Sequence, residues 1–103
     1  MSSQYKKGVL ELCVMALLQS KDRYGYEISE ILSEKIRIAD GTVYPILRKL
    51  KADGLLTTYI REESGGPPRK YYSLTELGRD VFKIDRGDYL MFAEAVKNIL
   101  EEN

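Results

Sequence analysis

The pattern of hydrophobic positions first indicates a helix that is apolar on nearly every side. From about Val9 to Gln19, the sequence VLELCVMALLQ contains only one charged residue, Glu11. Such a helix must be covered on more than one side, and the core of a chain of 103 residues covers only one. We therefore expect a second subunit to cover the other side.

Two helices with a single apolar face follow. The first is predicted from apolar residues at i, i+4, i+7 and i+8, namely Tyr24, Ile28, Ile31 and Leu32. The buried stripe of the second is predicted to consist of Val43, Ile46, Leu47 and Leu50. The exposed side of that third helix then carries residues at i, i+4 and i+7, which are Tyr44, Arg48 and Lys51.

Local signals bound the third helix. Asp40 or Thr42 can cap its start with a side-chain oxygen, and Pro45 favours Thr42, because a proline within the first turn removes no intrahelical donor. Gly54 can adopt the left-handed conformation that ends a helix. We therefore predict a short helix between Thr42 and Gly54.

The rest of the chain predicts a β-hairpin and a long helix. The sequence LLTTYIREESGGPPRKYYSL is rich in Thr, Tyr and Ile, and the turn residues from Gly65 to Pro68 interrupt it. Thr75 is then expected to cap a helix that continues to about Glu102, with Gly87 in its interior. The predicted fold is mainly α with a small β-hairpin, a winged helix-turn-helix followed by a C-terminal helix. In such folds a helix enters the major groove of DNA, while the hairpin reaches the neighbouring backbone or minor groove.

Charge and composition are compatible with this interpretation. The net charge is zero, but residues 1–74 carry twelve Lys/Arg against nine Asp/Glu, and residues 75–103 carry four against seven. A single cysteine allows no internal disulfide, which fits a cytoplasmic protein, and the longest apolar stretch is only about half of a membrane span. No histidine is present, and we expect no cofactor, no metal site and no enzymatic activity.

Four segments together resemble the PadR family of bacterial transcriptional regulators. These are YGYEI, GTVYPILRKLKADGLL, GGPPRKYYSLTELG and the C-terminal helix, and the resemblance extends from about Gly8 to Leu100. The single C-terminal helix is similar to that of the compact branch of the family, which includes multidrug-sensing repressors. The resemblance implies a homodimer, held together by the first and last helices, that represses transcription at a pseudo-palindromic operator in double-stranded DNA.

The resemblance also implies roles for particular segments and residues. Residues 1–74 would form the DNA-binding winged helix-turn-helix, and residues 75–103 would form the dimerisation helix. The residues expected to contact DNA are Thr42, Tyr44, Pro45, Arg48, Lys49, Arg69 and Lys70. Relatives often have a tryptophan in the last helix, which this chain lacks, and Tyr89 or Phe92 occupies that region. The residues expected at the dimer interface or around a small apolar or aromatic effector are Tyr5, Leu12, Met15, Tyr89, Phe92 and Val96.

The residues alone leave simpler alternatives open. Arg69 and Lys70 are also what a hairpin edge needs to stay soluble. Cys13, within the apolar first helix, is expected to be a small hydrophobic residue in preference to a redox sensor. A winged helix that binds protein and not DNA is the second candidate function, because a fold does not determine a function.

Overall fold

The computed structural model describes residues 3–63 and 65–103, with side chains from residue 8 onward. Its elements in chain order are α1 (Ser3–Ser20), β1 (Arg23–Tyr24), α2 (Gly25–Ile36), α3 (Val43–Ala52), β2 (Leu56–Arg61), β3 (Arg69–Leu74) and α4 (Glu76–Glu102). The prediction of a mainly helical winged helix-turn-helix with a long C-terminal helix is confirmed. Helix α1 begins earlier than the apolar pattern indicated, at Ser3.

The sheet contains a strand that the sequence did not predict. Strands β2 and β3 form the expected hairpin, and β1 adds an antiparallel strand on the other side of β3. Tyr24 was predicted to lie on the buried face of the second helix, and this was wrong, since Tyr24 lies in β1 opposite Tyr71 and α2 begins after it, at Gly25. A two-residue strand is too short to produce a periodic signal.

One hydrophobic core unites the helices and the sheet. The four residues predicted for the stripe of α3 are all buried, together with Ile28 and Leu32 of α2. Helix α1 contributes Leu10, Val14, Met15 and Leu18, and the sheet contributes Leu56 and Leu74. Phe82 belongs to the same cluster, so the first turns of α4 pack with the elements that precede them.

The start of α3 differs in one respect from the prediction. Thr42 occupies the N-cap position, but its side chain makes no capping hydrogen bond, and its backbone is already helical, with φ −61° and ψ −33°. The entry is set instead by a turn in which the Thr42 N–H donates to the Ala39 carbonyl, next to Gly41 at φ 84°. The prediction that the Thr42 hydroxyl caps the helix was therefore wrong.

The end of α3 is a tight stop on Gly54. The Gly54 N–H donates to the Lys51 carbonyl at 3.0 Å, and the Leu55 N–H donates to the Leu50 carbonyl at 2.9 Å. This pair of bonds is the Schellman arrangement, and it requires the left-handed backbone found at Gly54, with φ 79°. The predicted role of Gly54 is confirmed, and the stop directs the chain from α3 straight into the hairpin of β2 and β3, which is the wing of the fold.

The start of α4 is docked against this stop. Thr75 caps α4 as predicted, with its hydroxyl accepting from the Gly78 N–H at 3.0 Å and donating to the Gly54 carbonyl at 2.7 Å. The Thr75 N–H also donates to the Leu55 carbonyl at 3.0 Å. A Cβ on Gly78 would lie 2.1 Å from that Leu55 oxygen, so the close approach of the two backbones requires glycine.

We predict that Gly78→Ala destabilises the protein by about 1–3 kcal/mol, because the added methyl must push the start of α4 away from Leu55. Gly87→Ala is the matched control, since Gly87 lies in the same helix and a Cβ there would meet nothing within 4 Å. That substitution should stabilise α4 by up to about 1 kcal/mol. Urea unfolding at one protein concentration measures both effects, and equal effects of the two substitutions would contradict the docking argument.

Candidate nucleic-acid interface

The exposed face of α3 is set by what the opposite face buries. Val43, Ile46, Leu47 and Leu50 are all at most 3% exposed, which fixes the rotation of the helix about its axis. The residues between them point away from the core, and Tyr44, Pro45, Arg48 and Lys51 are exposed. Thr42, at the leading end, is partly exposed. The helix therefore presents an aromatic and basic surface along its whole length.

A groove of about 420 Å³ runs between this face of α3 and the wing. Its lining brings together four of the residues predicted to contact DNA, which are Tyr44, Arg48, Arg69 and Lys70. Two of them come from α3 and two from β3, so the groove joins α3 to the wing in one surface. Aromatic side chains from β1, α2 and β3 also line it.

Three aromatic residues of the groove were not predicted as site residues. They are Tyr24, Tyr26 and Tyr72, of which Tyr26 is 59% exposed. The sequence placed Tyr24 in a helix core, and the structure shows Tyr71 buried and Tyr72 half-buried. The motif YGYEI marked this segment, but only the pairing of β1 with β3 shows that it borders α3.

Gly25 allows the aromatic wall of the groove to close. A Cβ at this position would lie 3.1 Å from the Tyr44 ring and 3.6 Å from the Tyr72 ring. Burial, together with the neighbouring Tyr44, raises the pKa of the Tyr72 hydroxyl, while the charge of Arg48 opposes the rise. Tyr72 therefore stays neutral at ordinary pH, and it lines the groove together with Tyr44 and Arg48.

Lys49 lies apart from the other predicted DNA contacts. Its Nζ is 3.0 Å from a carboxylate oxygen of Asp53 and 3.3 Å from one of Glu11 in α1. The hydrogen bonds to Asp53 and Glu11 raise the pKa of Lys49. These contacts turn Lys49 towards α1, and it does not line the groove that contains Arg48 and Lys70.

The residues predicted for the dimer or effector interface line two further surfaces. A groove of about 220 Å³ between α1 and α4 is lined by Leu12, Met15 and Tyr89, among others. Met15 is only 3% exposed, so most of its side chain already packs in the core of a single chain. The side chain of Tyr5 lies outside the described part of the molecule.

The second surface lies along the C-terminal half of α4. Tyr89, Phe92, Val96 and Leu100 line an open apolar region of about 650 Å³, and Phe92 and Leu100 are more than half exposed. Tyr89 borders both this region and the groove beside α1, so the two surfaces are continuous. Five of the six predicted residues, Leu12, Met15, Tyr89, Phe92 and Val96, therefore line these two continuous surfaces, which together form an apolar track along α1 and α4.

Other classes of site find little support in the described residues. Within residues 3–63 and 65–103, no three His, Cys, Asp or Glu side chains are grouped so that they could hold a metal ion. No helix in this part of the chain is long and apolar enough to cross a membrane. Cys13 is half-buried, and this burial raises the pKa of its thiol, which makes it less reactive.

Comparisons with known proteins agree on one family of regulators. Residues 14–84 match the model of the transcriptional regulator PadR-like family. The chain is 30% identical over 84 residues to the transcriptional regulator Rv3488 of Mycobacterium tuberculosis, covering 81% of this chain and 78% of that protein.

Solved structures give the same answer across almost the whole chain. A PadR-like transcription factor from Bacteroides fragilis is 39% identical, with a TM-score of 0.78, over 94% of this chain and 95% of that one. A PadR-like transcriptional regulator from Bacillus cereus is 32% identical, with a TM-score of 0.85, over 95% of this chain and 97% of that one. These proteins are regulators of transcription and not enzymes. The chain belongs to the PadR-like family of transcriptional regulators.

Proposed function

We propose that the protein is a homodimeric repressor that binds a pseudo-palindromic operator in double-stranded DNA, in the cytoplasm. The observation that carries this proposal is the groove in which Tyr44 and Arg48 of α3 lie beside Lys70 of the wing. An exposed helix face next to a basic hairpin is the arrangement with which winged helix-turn-helix proteins contact DNA. The two recognition helices of the dimer would then enter major grooves about one helical turn, roughly 34 Å, apart.

The residues of the interface would divide between reading bases and positioning the protein. Thr42, Tyr44, Pro45 and Arg48 occupy the leading part of α3, which in such complexes meets the base edges. Lys70 at the wing would contact phosphate, a contact that positions the protein without reading sequence. Lys49, which is paired with Glu11 and Asp53, would contribute less to the charge that DNA meets.

The apolar track on α1 and α4 would form the dimer interface. Phe92, Val96 and Leu100 recur at i, i+4 and i+8 on one side of α4, far beyond Phe82, where the helix leaves the core of the single chain. Exposed apolar residues at this spacing are typical of a helix covered by a partner. The sequence pattern of α1, which also requires a second covering surface, supports the same interface.

A small apolar or aromatic effector would bind within this interface and release the DNA. The groove lined by Leu12, Met15 and Tyr89 and the surface around Phe92 offer aromatic and flexible apolar side chains, which suit flat apolar ligands. The dimer would have one arrangement that binds the operator and one that does not. Such a ligand would lower the affinity for DNA only if it binds the second arrangement more tightly than the first.

The first prediction from the proposed function concerns Arg48. Arg48→Ala should lower the affinity for the operator by about 1–3 kcal/mol and reduce discrimination at one base pair, because an arginine in the major groove pairs with a base edge. Fluorescence anisotropy with DNA from upstream of the protein's own gene, a scrambled duplex and single-base variants measures both quantities at several salt concentrations. Lys83→Gln, which removes a positive charge on α4, is the control and should leave discrimination intact.

Three other outcomes of that experiment are informative. Equal weakening on every sequence, with the salt dependence reduced by about one phosphate contact, would assign Arg48 to the backbone. Unchanged binding would show that Arg48 does not contact DNA. If the unaltered protein showed no salt-sensitive binding to any duplex, the protein-binding alternative would replace the repressor proposal.

The second prediction concerns the dimer. Phe92→Glu should raise the dimer dissociation constant at least tenfold, or by about 1.4 kcal/mol, because it places an unpaired charge in the apolar interface. Light scattering after size-exclusion chromatography, across a dilution series, measures the change. Lys83→Gln alters the net charge by the same amount and lies nine residues earlier, on the opposite side of α4. Equal effects of the two substitutions, or none, would contradict the interface.

The third prediction concerns the effector. An aromatic fluorescent probe that binds apolar surfaces, the anion anilinonaphthalene sulfonate, should bind the dimer and lower its affinity for the operator, and Phe92→Glu should weaken the binding of the probe. Fluorescence titration followed by anisotropy with operator DNA measures both effects. Binding of the probe with no change in operator affinity would contradict release through this surface.

A further inference from the structure

Beside the groove, the wing carries a cluster of aromatic and charged side chains, of which Arg69 and Tyr24 also line the groove. The Tyr71 ring packs between those of Tyr59 and Tyr24, with centroids 5.6 Å and 5.7 Å away. The Arg69 guanidinium lies over the Tyr24 ring, 4.5 Å from its centroid, and the Arg61 guanidinium lies 5.3 Å from that of Tyr71. Two cations are thus held against an aromatic surface at the edge of the DNA-binding groove.

Glu63 lies between these two cations. Its carboxylate accepts a hydrogen bond from Arg69 Nη1 at 3.2 Å, and its other oxygen lies 3.9 Å from Arg61 Nε. The Tyr71 hydroxyl donates to the same carboxylate. This hydrogen bond, and then the charges of Arg69 and Arg61, lower the pKa of Glu63, so the carboxylate is ionised throughout the neutral range.

The position of Arg69 makes this pairing relevant to DNA. Arg69 lines the same groove as Arg48 and Lys70, but unlike Lys70 it is held by a carboxylate and an aromatic ring. A carboxylate binds a guanidinium through the same N–H groups that a phosphate would use. A phosphate that approached Arg69 would therefore have to displace Glu63, and the displaced negative charge would remain close to it.

We propose that Glu63 is a positioning residue that holds Arg69 against Tyr24 and withholds its charge from the DNA backbone. The proposal rests on the proposed function, that this groove binds DNA. Exposed ion pairs contribute little to stability, so the measurable consequence of this pair lies in binding. The wing then engages phosphate chiefly through Lys70, and Glu63 limits the part of the affinity that is independent of sequence.

Glu63→Gln tests the proposal with little change of shape. The amide oxygen can still accept the hydrogen bond from Tyr71, but the negative charge that holds Arg69 is removed. The released Arg69 adds one phosphate contact, so the slope of log K against log [salt] on a random-sequence duplex becomes steeper by about 0.9. Between 50 and 200 mM salt this amounts to an additional fall in affinity of about 3.5-fold.

Two further variants separate release of Arg69 from a general change of charge. Glu62→Gln also removes one negative charge, at the neighbouring exposed position, but it does not free Arg69. It should therefore leave the slope unchanged. In the Glu63→Gln background, adding Arg69→Gln should return the slope of log K against log [salt] to its original value. In the unaltered protein, Arg69→Gln should change that slope much less. A thermal melt of each variant checks that the wing is folded.

The outcomes are distinct. A steeper slope with Glu63→Gln, reversed by Arg69→Gln and absent with Glu62→Gln, supports the proposal. It is overturned if Glu63→Gln leaves the slope unchanged, or if Arg69→Gln lowers the slope by about 0.9 in the unaltered protein. The measurement of Arg69→Gln in the otherwise unaltered protein leaves Glu63 intact. It therefore tests the proposal even if Glu63→Gln unfolds the wing. Loss of salt-sensitive binding by all variants and by the unaltered protein would overturn the proposed function as well.

Discussion

The burial of the apolar stripe of α3 is the constraint on which the rest of the interface depends. Val43, Ile46, Leu47 and Leu50 are all at most 3% exposed, and each would lose its packing if the helix rotated about its axis. Because residues of a helix are separated by 100°, fixing this stripe also fixes the direction of Tyr44, Arg48 and Lys51. The hydrophobic core thus determines which side chains a partner meets, although none of its own members reaches the surface.

The wing takes its position from hydrogen bonds to backbone groups. The left-handed turn at Gly54 leads the chain into β2, and Thr75 binds back to the Gly54 and Leu55 carbonyls as the chain leaves β3. Both ends of the hairpin are therefore attached to the end of α3. On the other edge, the pairing of β1 with β3 joins the wing to the start of α2. With three attachments, the groove between α3 and the wing has a defined width.

The sequence was sufficient to predict a structural feature where the signal for it was periodic or local. The stripe of α3, the stop at Gly54 and the cap at Thr75 were all predicted, because each depends on residues within a turn or two of the chain. Thr42 was the exception among local signals, since a turn through Ala39 and Gly41 took over the entry into the helix.

What the sequence could not provide were contacts between distant segments. The pairing of Tyr24 with Tyr71 joins residues 47 positions apart in the chain and has no periodic signature. For the same reason the sequence marked Arg69 and Lys70 as equivalent basic residues. The structure distinguishes them, because the chain between the strands returns Glu63 to Arg69. Which charges of a basic segment are available is a tertiary property.

Helix α1 connects the exposed surface of α3 with the groove between α1 and α4. Leu10, Val14 and Leu18 pack in the same core as the stripe of α3, while Leu12 lines the groove that α1 forms with α4. Glu11 belongs to both regions, since it lines that groove and pairs with Lys49 of α3. Because α1 and α3 share a close-packed core, they move together as one body. In the proposed dimer, a change in how α1 meets the α4 of the partner would therefore reposition α3 as a whole. In such a dimer, the packing at the interface would be linked directly to the spacing of the two α3 helices.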